Sequence, residues 1–180
     1  MNILEGLLHG TTEPKMAPHV GEVFALWTYY TALINSRSLC LVLTNHTADR
    51  QIRELIEHLI NDLEEPQLTH LTQVMKTEGI PFPQSIPDHP NADEKAIPFG
   101  AKFTEAEIAN LLVVKLEGML LIGHNAMVQS LREDFGLMFY KFQGQLLAQG
   151  LAIKKTMQRR GWLLVPPPFQ GHTPANRPTE

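Results

Sequence analysis

Apolar residues recur at helical spacing along most of this chain, in four long stretches. Very short polar connections separate the first stretch from the second and the third from the fourth. The third stretch is apolar nearly all round, as expected of a helix that several neighbours bury. The pattern therefore predicts an all-α domain with helices at about residues 18–44, 48–78, 105–129 and 131–160.

Local signals indicate where these helices begin and end. Pro18 suits the first turn of the first helix, where a missing N–H costs nothing. Thr104 stands three residues before Glu107, which is the spacing of a capping box. Ser130 closes the third helix and is expected to cap the fourth. Pro66 lies inside the second apolar pattern, where it predicts a kink or a local break.

The segment 79–103 differs in composition from the four helical stretches. It contains five prolines and has neither a helical nor a strand period, so we expect a long connection. A helix of about 27 residues is about 40 Å long, whereas about 25 extended residues reach about 80 Å. The segment can therefore cross the full length of a bundle. Two helical hairpins joined by such a crossover form a ferritin-like four-helix bundle, which is the predicted fold.

The chain is predicted to hold one domain, the bundle at residues 18–168. Residues 1–17 are expected to form a leader with one short apolar patch, and residues 169–180 a mobile tail without a core-forming pattern. The first residues lack the charged and apolar regions of a signal peptide. The single cysteine, Cys40, suits a reducing compartment. We therefore expect synthesis in the cytoplasm without secretion through a signal peptide.

Charge and motif content narrow the partners. The formal net charge of −4 argues against a nucleic-acid partner, because such proteins carry a basic face. Lys115, Glu117 and His124 interrupt the apolar third helix, so we expect no membrane association. We find no nucleophile triad, phosphate-cradling glycine loop or cysteine-based metal finger in the sequence.

Three short phrases carry a resemblance to a known family. The first helix contains GEVxxLW at residues 21–27, the second ends in EGIPFP at 78–83, and the fourth is followed by GWLLVPP at 161–167. They resemble a ferritin-like family of endospore-forming bacteria that is related to spore coat F-type proteins. The resemblance implies a four-helix bundle and a role in the spore coat, with other coat proteins as partners. Ferritin-like bundles often pair through exposed helix faces, which implies a homodimer by analogy.

The sequence does not supply a complete di-iron centre. Such a bundle takes a Glu from each of two helices and a Glu-x-x-His from each of the other two. The second helix offers Gln67-x-x-His70, in which an amide replaces the carboxylate. The fourth offers Gln149-x-x-Ala152, which has neither carboxylate nor imidazole. We therefore expect an incomplete di-metal ligand set.

A smaller metal site remains open. If the first hairpin turns near His46, Glu22 lies close to His70, and the crossover brings His124 to the same end of the bundle. Two imidazoles and a carboxylate suit one divalent metal, Zn, Mn or Fe. The alternative is that each histidine is a buried polar group bonded to a neighbour, with Glu22 pairing His70.

Two charged residues of the third helix complete the candidates. Counted from a turn near Leu131, Glu117 faces Gln145, either as a remnant metal ligand or as half of a buried hydrogen-bonded pair. Lys115 is expected on a solvated flank of the helix, or with its stem buried and its ammonium in water.

Three functions remain open from the sequence. The first is a structural, non-enzymatic spore coat-like protein, made in the cytoplasm and assembled into the coat with other coat proteins. The second is a metal-binding bundle with one Zn, Mn or Fe site, or with residual oxidoreductase or metal-storage activity. The third is a small-molecule carrier with a cavity between aromatic residues of the first and fourth helices. The resemblance favours the first function.

Overall fold

The computed structural model describes residues 16–85 and 87–167. Within these ranges the chain is all-helical and has no strand. Most of the predicted leader and nearly all of the predicted tail lie outside the described residues. The α-helices are α1 (Val20–Asn45), α2 (Arg50–His58), α3 (Glu65–Thr77), α4 (Glu105–Gln129) and α5 (Glu133–Arg160).

A π-helical segment, Leu59–Glu64, joins α2 to α3. Helical backbone angles continue through both junctions, so α2, the π segment and α3 form one interrupted helix. At its end the N–H of Glu65 donates to the carbonyl of Ile60, five residues earlier. Pro66 follows at once and has no N–H to restore the ordinary pattern. The local break predicted at this proline takes the form of the π segment.

Two helix starts differ from the prediction. α1 begins at Val20, because His19 is extended and its ring accepts the N–H of Gly21 as an N-terminal cap. Pro18 therefore precedes the cap and does not lie in the first turn. α5 begins at Glu133 after Arg132, whose side chain makes no capping hydrogen bond to the helix backbone. Ser130 ends α4, as expected, but it does not cap α5.

α4 packs mainly against α5 and α1. Thr47, just after α1, donates to the carboxylate of Glu105 at the start of α4 over 2.5 Å. At the other end, Glu22 near the start of α1 accepts the N–H of Leu131, just after α4. These two contacts make α1 and α4 antiparallel neighbours. The interrupted helix packs on α1, and both its π segment and α3 contact α5.

The proline-rich connection runs along α1. Phe82 packs against Tyr30, with ring centroids 5.6 Å apart. Further on, the side chain of Asn45 at the end of α1 donates to the carbonyl of Pro90. The connection therefore passes from the middle of α1 to its C-terminal end before α4 begins. It contains two 3-10 turns, Glu94–Ala96 and Phe99–Ala101.

The range Phe99–Gln129 is long and apolar enough to cross a membrane by length and composition alone. A core helix of a soluble protein passes the same test. Here, however, only 28% of the most apolar window is buried. Much of the apolar surface of α4 therefore lies outside the core of the chain.

Candidate functional site: a buried ion pair between α4 and the π segment

A charged cluster lies inside the bundle. The Nζ of Lys115 donates to Oε1 of Glu64 over 2.6 Å and to the Sγ of Cys40 over 2.9 Å. The hydroxyl of Ser36 donates to the same oxygen of Glu64 over 2.5 Å. The Lys115 side chain is 6% exposed and that of Glu64 2% exposed, so this is a buried ion pair. The expectation that Lys115 lies on a solvated flank is wrong.

Three elements position these groups. Ser36 and Cys40 are one helical turn apart on the buried face of α1. Glu64 is the last residue of the π segment and is buried. Lys115 projects from the middle of α4 between them. The second carboxylate oxygen of Glu64, Oε2, is buried and has no hydrogen-bond partner within the described chain.

Burial and the neighbouring groups determine the protonation of the cluster. Burial alone would lower the pKa of Lys115, but Cys40 and Glu64 outweigh it and raise the pKa above its ordinary value. Burial also raises the pKa of the Cys40 thiol to about 11, so that thiol is neutral at pH 7. The negative partner of the ammonium is therefore the Glu64 carboxylate.

A polar relay lies next to the ion pair. The buried hydroxyl of Tyr29 donates to Oε1 of Gln67 over 2.9 Å, and Nε2 of Gln67 donates to Oε1 of Gln145 over 2.9 Å. Burial, together with the charge of Glu64, raises the pKa of Tyr29, so the phenol remains a donor. These two hydrogen bonds between neutral side chains connect α1, α3 and α5.

These groups are poorly suited to catalysis. An amine acts as a nucleophile only when its pKa is lowered, and the pKa of Lys115 is raised. A thiol reacts as its thiolate, and Cys40 is completely buried and protonated. The ion pair and its two neighbours connect α1, the π segment and α4.

The predicted ligand Glu22 has other partners. Its Oε1 accepts the N–H groups of Leu131 and Arg132, both over 2.8 Å. Its Oε2 accepts the N–H of His19 over 3.1 Å. Although burial opposes ionisation, these hydrogen bonds hold the pKa of Glu22 below its ordinary value. The alternative in which Glu22 pairs His70 is wrong, because the carboxylate instead fixes the α4–α5 turn.

The other predicted ligands face outward. His70 is exposed, with its ring edge-on to Phe142 at 5.9 Å, and His124 is exposed on α4. Glu117 is also exposed and accepts from Lys154 over 3.2 Å, so it does not face Gln145 in a buried pair. Within residues 16–85 and 87–167, no group of three or more His, Cys, Asp and Glu side chains is placed to hold a metal ion.

The residues inside the bundle do not fit a di-iron centre. The interrupted helix does present the spacing Glu64-x-x-Gln67, which begins three residues before the predicted Gln67-x-x-His70. An amide stands where the template needs an imidazole. The opposing helix supplies the ammonium of Lys115, which already neutralises the carboxylate and repels a second cation. The only sequence signal for the buried ion pair is Glu64, a carboxylate that lies three residues before Gln67 within the second apolar stretch.

The profile of one protein family, described as a protein of unknown function (DUF3231), matches residues 9–174. The chain belongs to the DUF3231 family. The uncharacterized protein YvdQ of Bacillus subtilis strain 168 is 30% identical to this DUF3231 chain over 162 residues. The match covers 90% of the chain and 94% of YvdQ.

A solved structure resembles this DUF3231 chain as well. The crystal structure of a candidate spore coat protein from Bacillus halodurans C-125 has a TM-score of 0.83 and 29% identity to it. The match covers 87% of the DUF3231 chain and 98% of the other protein. This relative supports the predicted resemblance to spore coat proteins.

Proposed function

We propose that this chain is a structural, non-enzymatic component of the spore coat, with a ferritin-like bundle and an incomplete di-metal ligand set. The similarity to the Bacillus halodurans protein supports the coat assignment, since it extends over 98% of that protein. The antiparallel packing of α1 on α4 and the connection along α1 support the ferritin-like topology. Other coat proteins are the partners in this proposal.

The observation that carries the non-enzymatic part is the ion pair of Lys115 and Glu64. A ferritin-like oxidoreductase holds its cations among carboxylates inside the bundle. In this chain an ammonium lies 2.6 Å from the buried carboxylate and supplies the positive charge itself. The Lys115 ammonium is part of the chain, so it neutralises Glu64 without a bound metal. An ammonium does not change oxidation state and supports no redox cycle. Packing therefore remains as the role of the bundle interior.

Localisation tests the coat assignment. We would produce the full chain as a fluorescent fusion in sporulating Bacillus subtilis and extract the purified spores with detergent and reductant. We expect a fluorescent shell around each spore and recovery of the fusion in the coat extract. The fluorescent protein alone is the control. A fusion that stays diffuse in the mother cell, with the chain folded, would contradict the proposal.

Metal analysis tests the alternative of a metal-binding ferritin-like protein. We would purify the chain without chelator, incubate it with Zn²⁺, Mn²⁺ or Fe²⁺, desalt it and measure the metal content. We expect a content well below one equivalent, both for the natural chain and for the His70→Ala/His124→Ala variant. One equivalent of metal that the double substitution removes would establish a metal site and overturn the non-enzymatic assignment.

A further inference from the structure

One face of α5 carries a second apolar stripe that the bundle does not bury. The α5 stripe consists of Leu137, Tyr140, Gly144, Leu147 and Leu151, whose intervals of three and four residues are those of a coiled-coil seam. Tyr140, Leu147 and Leu151 are 58%, 55% and 54% exposed. The core side chains of α5, such as Phe135, Phe142 and Ile153, belong to a separate stripe.

The α5 stripe is symmetric about Gly144 in its two outer leucines. Leu137 lies seven residues before this glycine and Leu151 seven residues after it. Glu133 lies eleven residues before it and Lys155 eleven residues after it. In an antiparallel pair of α5 helices that cross at Gly144, each leucine therefore meets the other leucine of the second copy. Each glutamate likewise meets a lysine of opposite charge.

Packing within one chain does not require the glycine at the crossing point, as is also true of Gly118 in α4 and Gly150 in α5. A Cβ added at Gly144 would meet no atom within 4 Å. A glycine inside a helix costs about 1 kcal/mol relative to alanine, so packing in the monomer gives no reason to keep it. Tyr140 and Ala148 are related by the same symmetry, which sets a large side chain against a small one. A helix of a second copy can approach closely at this point.

We propose that the α5 stripe is the interface of a two-fold homodimer in which the α5 helices of two copies cross antiparallel at Gly144. A two-fold interface must be complementary to itself, and the pairing of Glu133 with Lys155 meets that condition by charge. Both of these residues are exposed. The inference does not depend on the proposed coat function.

α4 extends the same face. Val114, Leu121 and Val128 follow one another at seven-residue intervals and are 63%, 68% and 67% exposed. The ion pair of Glu117 with Lys154 places their side of α4 beside the α5 stripe. Glu133 to Lys155 spans about 33 Å, and a helix about 10 Å wide covers about 330 Å² over that length. If α4 contributes a similar area, two helices in each of two copies bury about 1,300 Å² in total. This area falls within the range of stable interfaces.

A charge-swap cycle tests the interface with the full-length chain. Sedimentation equilibrium would be measured for the natural chain, Glu133→Lys, Lys155→Glu and the double swap. Each single swap faces like charges across the two-fold axis, and we expect it to weaken dimerisation at least about tenfold. The double swap restores opposite charges and should restore the dimer. Lys76→Glu, an exposed charge change on α3, is the matched control and should leave the dimer unchanged.

A second variant removes the apolar contact. Leu147→Glu/Leu151→Glu should yield a folded monomer of 20.3 kDa where the natural chain sediments at twice that mass. Far-UV circular dichroism confirms that the variant is folded. A natural chain that stays monomeric at millimolar concentration would overturn the proposal, as would a dimer that none of these substitutions weakens. Binding of the monomer to phosphatidylglycerol vesicles through this face would also overturn it, because the occupant would then be a membrane.

Discussion

Replacing Lys115 with methionine removes one charge of the buried ion pair and keeps most of the side-chain volume. At the 2.6 Å separation from Glu64, the lost attraction is about 6 kcal/mol at an effective dielectric constant of about 20. The cost of burying the ammonium disappears as well and offsets part of this loss. Measured losses from breaking a buried pair are about 3–5 kcal/mol. We expect Lys115→Met to lie in that range at pH 7, because Glu64 keeps only the hydroxyl of Ser36 as a partner.

Urea unfolding followed by far-UV circular dichroism measures this loss. A loss of about 4 kcal/mol lowers the urea midpoint by about 2 M if the slope is about 2 kcal/mol per molar. The double variant Glu64→Gln/Lys115→Met removes both charges of this pair and should recover most of the loss. Lys154→Met, which breaks the exposed pair with Glu117, should cost less than about 1 kcal/mol.

One pattern of results would refute the reasoning on the ion pair. If Lys115→Met and Glu64→Gln each changed the free energy of unfolding by less than about 1 kcal/mol, the charges would be solvated. The same conclusion would follow if the two losses simply added in the double variant, since groups in contact show a coupling energy. The proposed non-enzymatic role would then lose the observation that carries it.

Further predictions concern three other buried groups. Glu22→Gln should cost about 2 kcal/mol at pH 7. It should also flatten the loss of stability below pH 4.5, because a lowered carboxylate pKa gives stability that disappears as the pH falls through it; the exposed Glu117→Gln is the control. The pKa of Cys40 rises from 9.0 to about 11 in the fold, so stability should decline between these pH values. Urea unfolding across that range should show a shallower decline for Cys40→Ala. Gln67→Leu should cost about 1–3 kcal/mol, because it leaves the buried hydroxyl of Tyr29 without its acceptor; thermal unfolding against Tyr29→Phe/Gln67→Leu, which removes both partners, measures it.

The all-helical architecture could be predicted because its signals are local. The capping box of Thr104 and Glu107 forms as expected, and α5 ends at Gly161 in the left-handed conformation that favours glycine. A proline without an N–H marks the break before α3 wherever the rest of the chain lies. Each of these signals depends on a few residues within one or two turns. These helix ends and the helix break can therefore be predicted from the sequence alone.

The structure does not bring the predicted metal ligands together, because α1 and the interrupted helix pair in a different register from the one predicted. This register depends on contacts between residues far apart in sequence. A turn centred on His46 pairs Glu22 with residue 70, whereas Ser36 bonds to Glu64 and so centres the hairpin near residue 50. Carried down the helices, this register sets Glu22 opposite residue 78, about eight residues from His70 and about 12 Å along the axis. Arg132 shows the outcome, since its N–H bonds to Glu22 while its guanidinium pairs with Glu78 over 2.8 Å.

The buried lysine was missed for a related reason. α4 is apolar nearly all round, so its sequence does not show which side faces the bundle, and a lone lysine is ordinarily solvated. The face is decided by the carboxylate of Glu64, which lies 51 residues away in sequence and needs a counter-charge once it is buried.

The apolar composition of α4 also hides which residues form its outer surface. A helix with apolar residues on every side can bury only part of them in one bundle, and the remaining residues, Val114, Leu121 and Val128, are exposed beside the α5 stripe. The apolar composition that made α4 look like a central core helix thus supplies two faces, one closed around Lys115 and one left for a second copy of the chain.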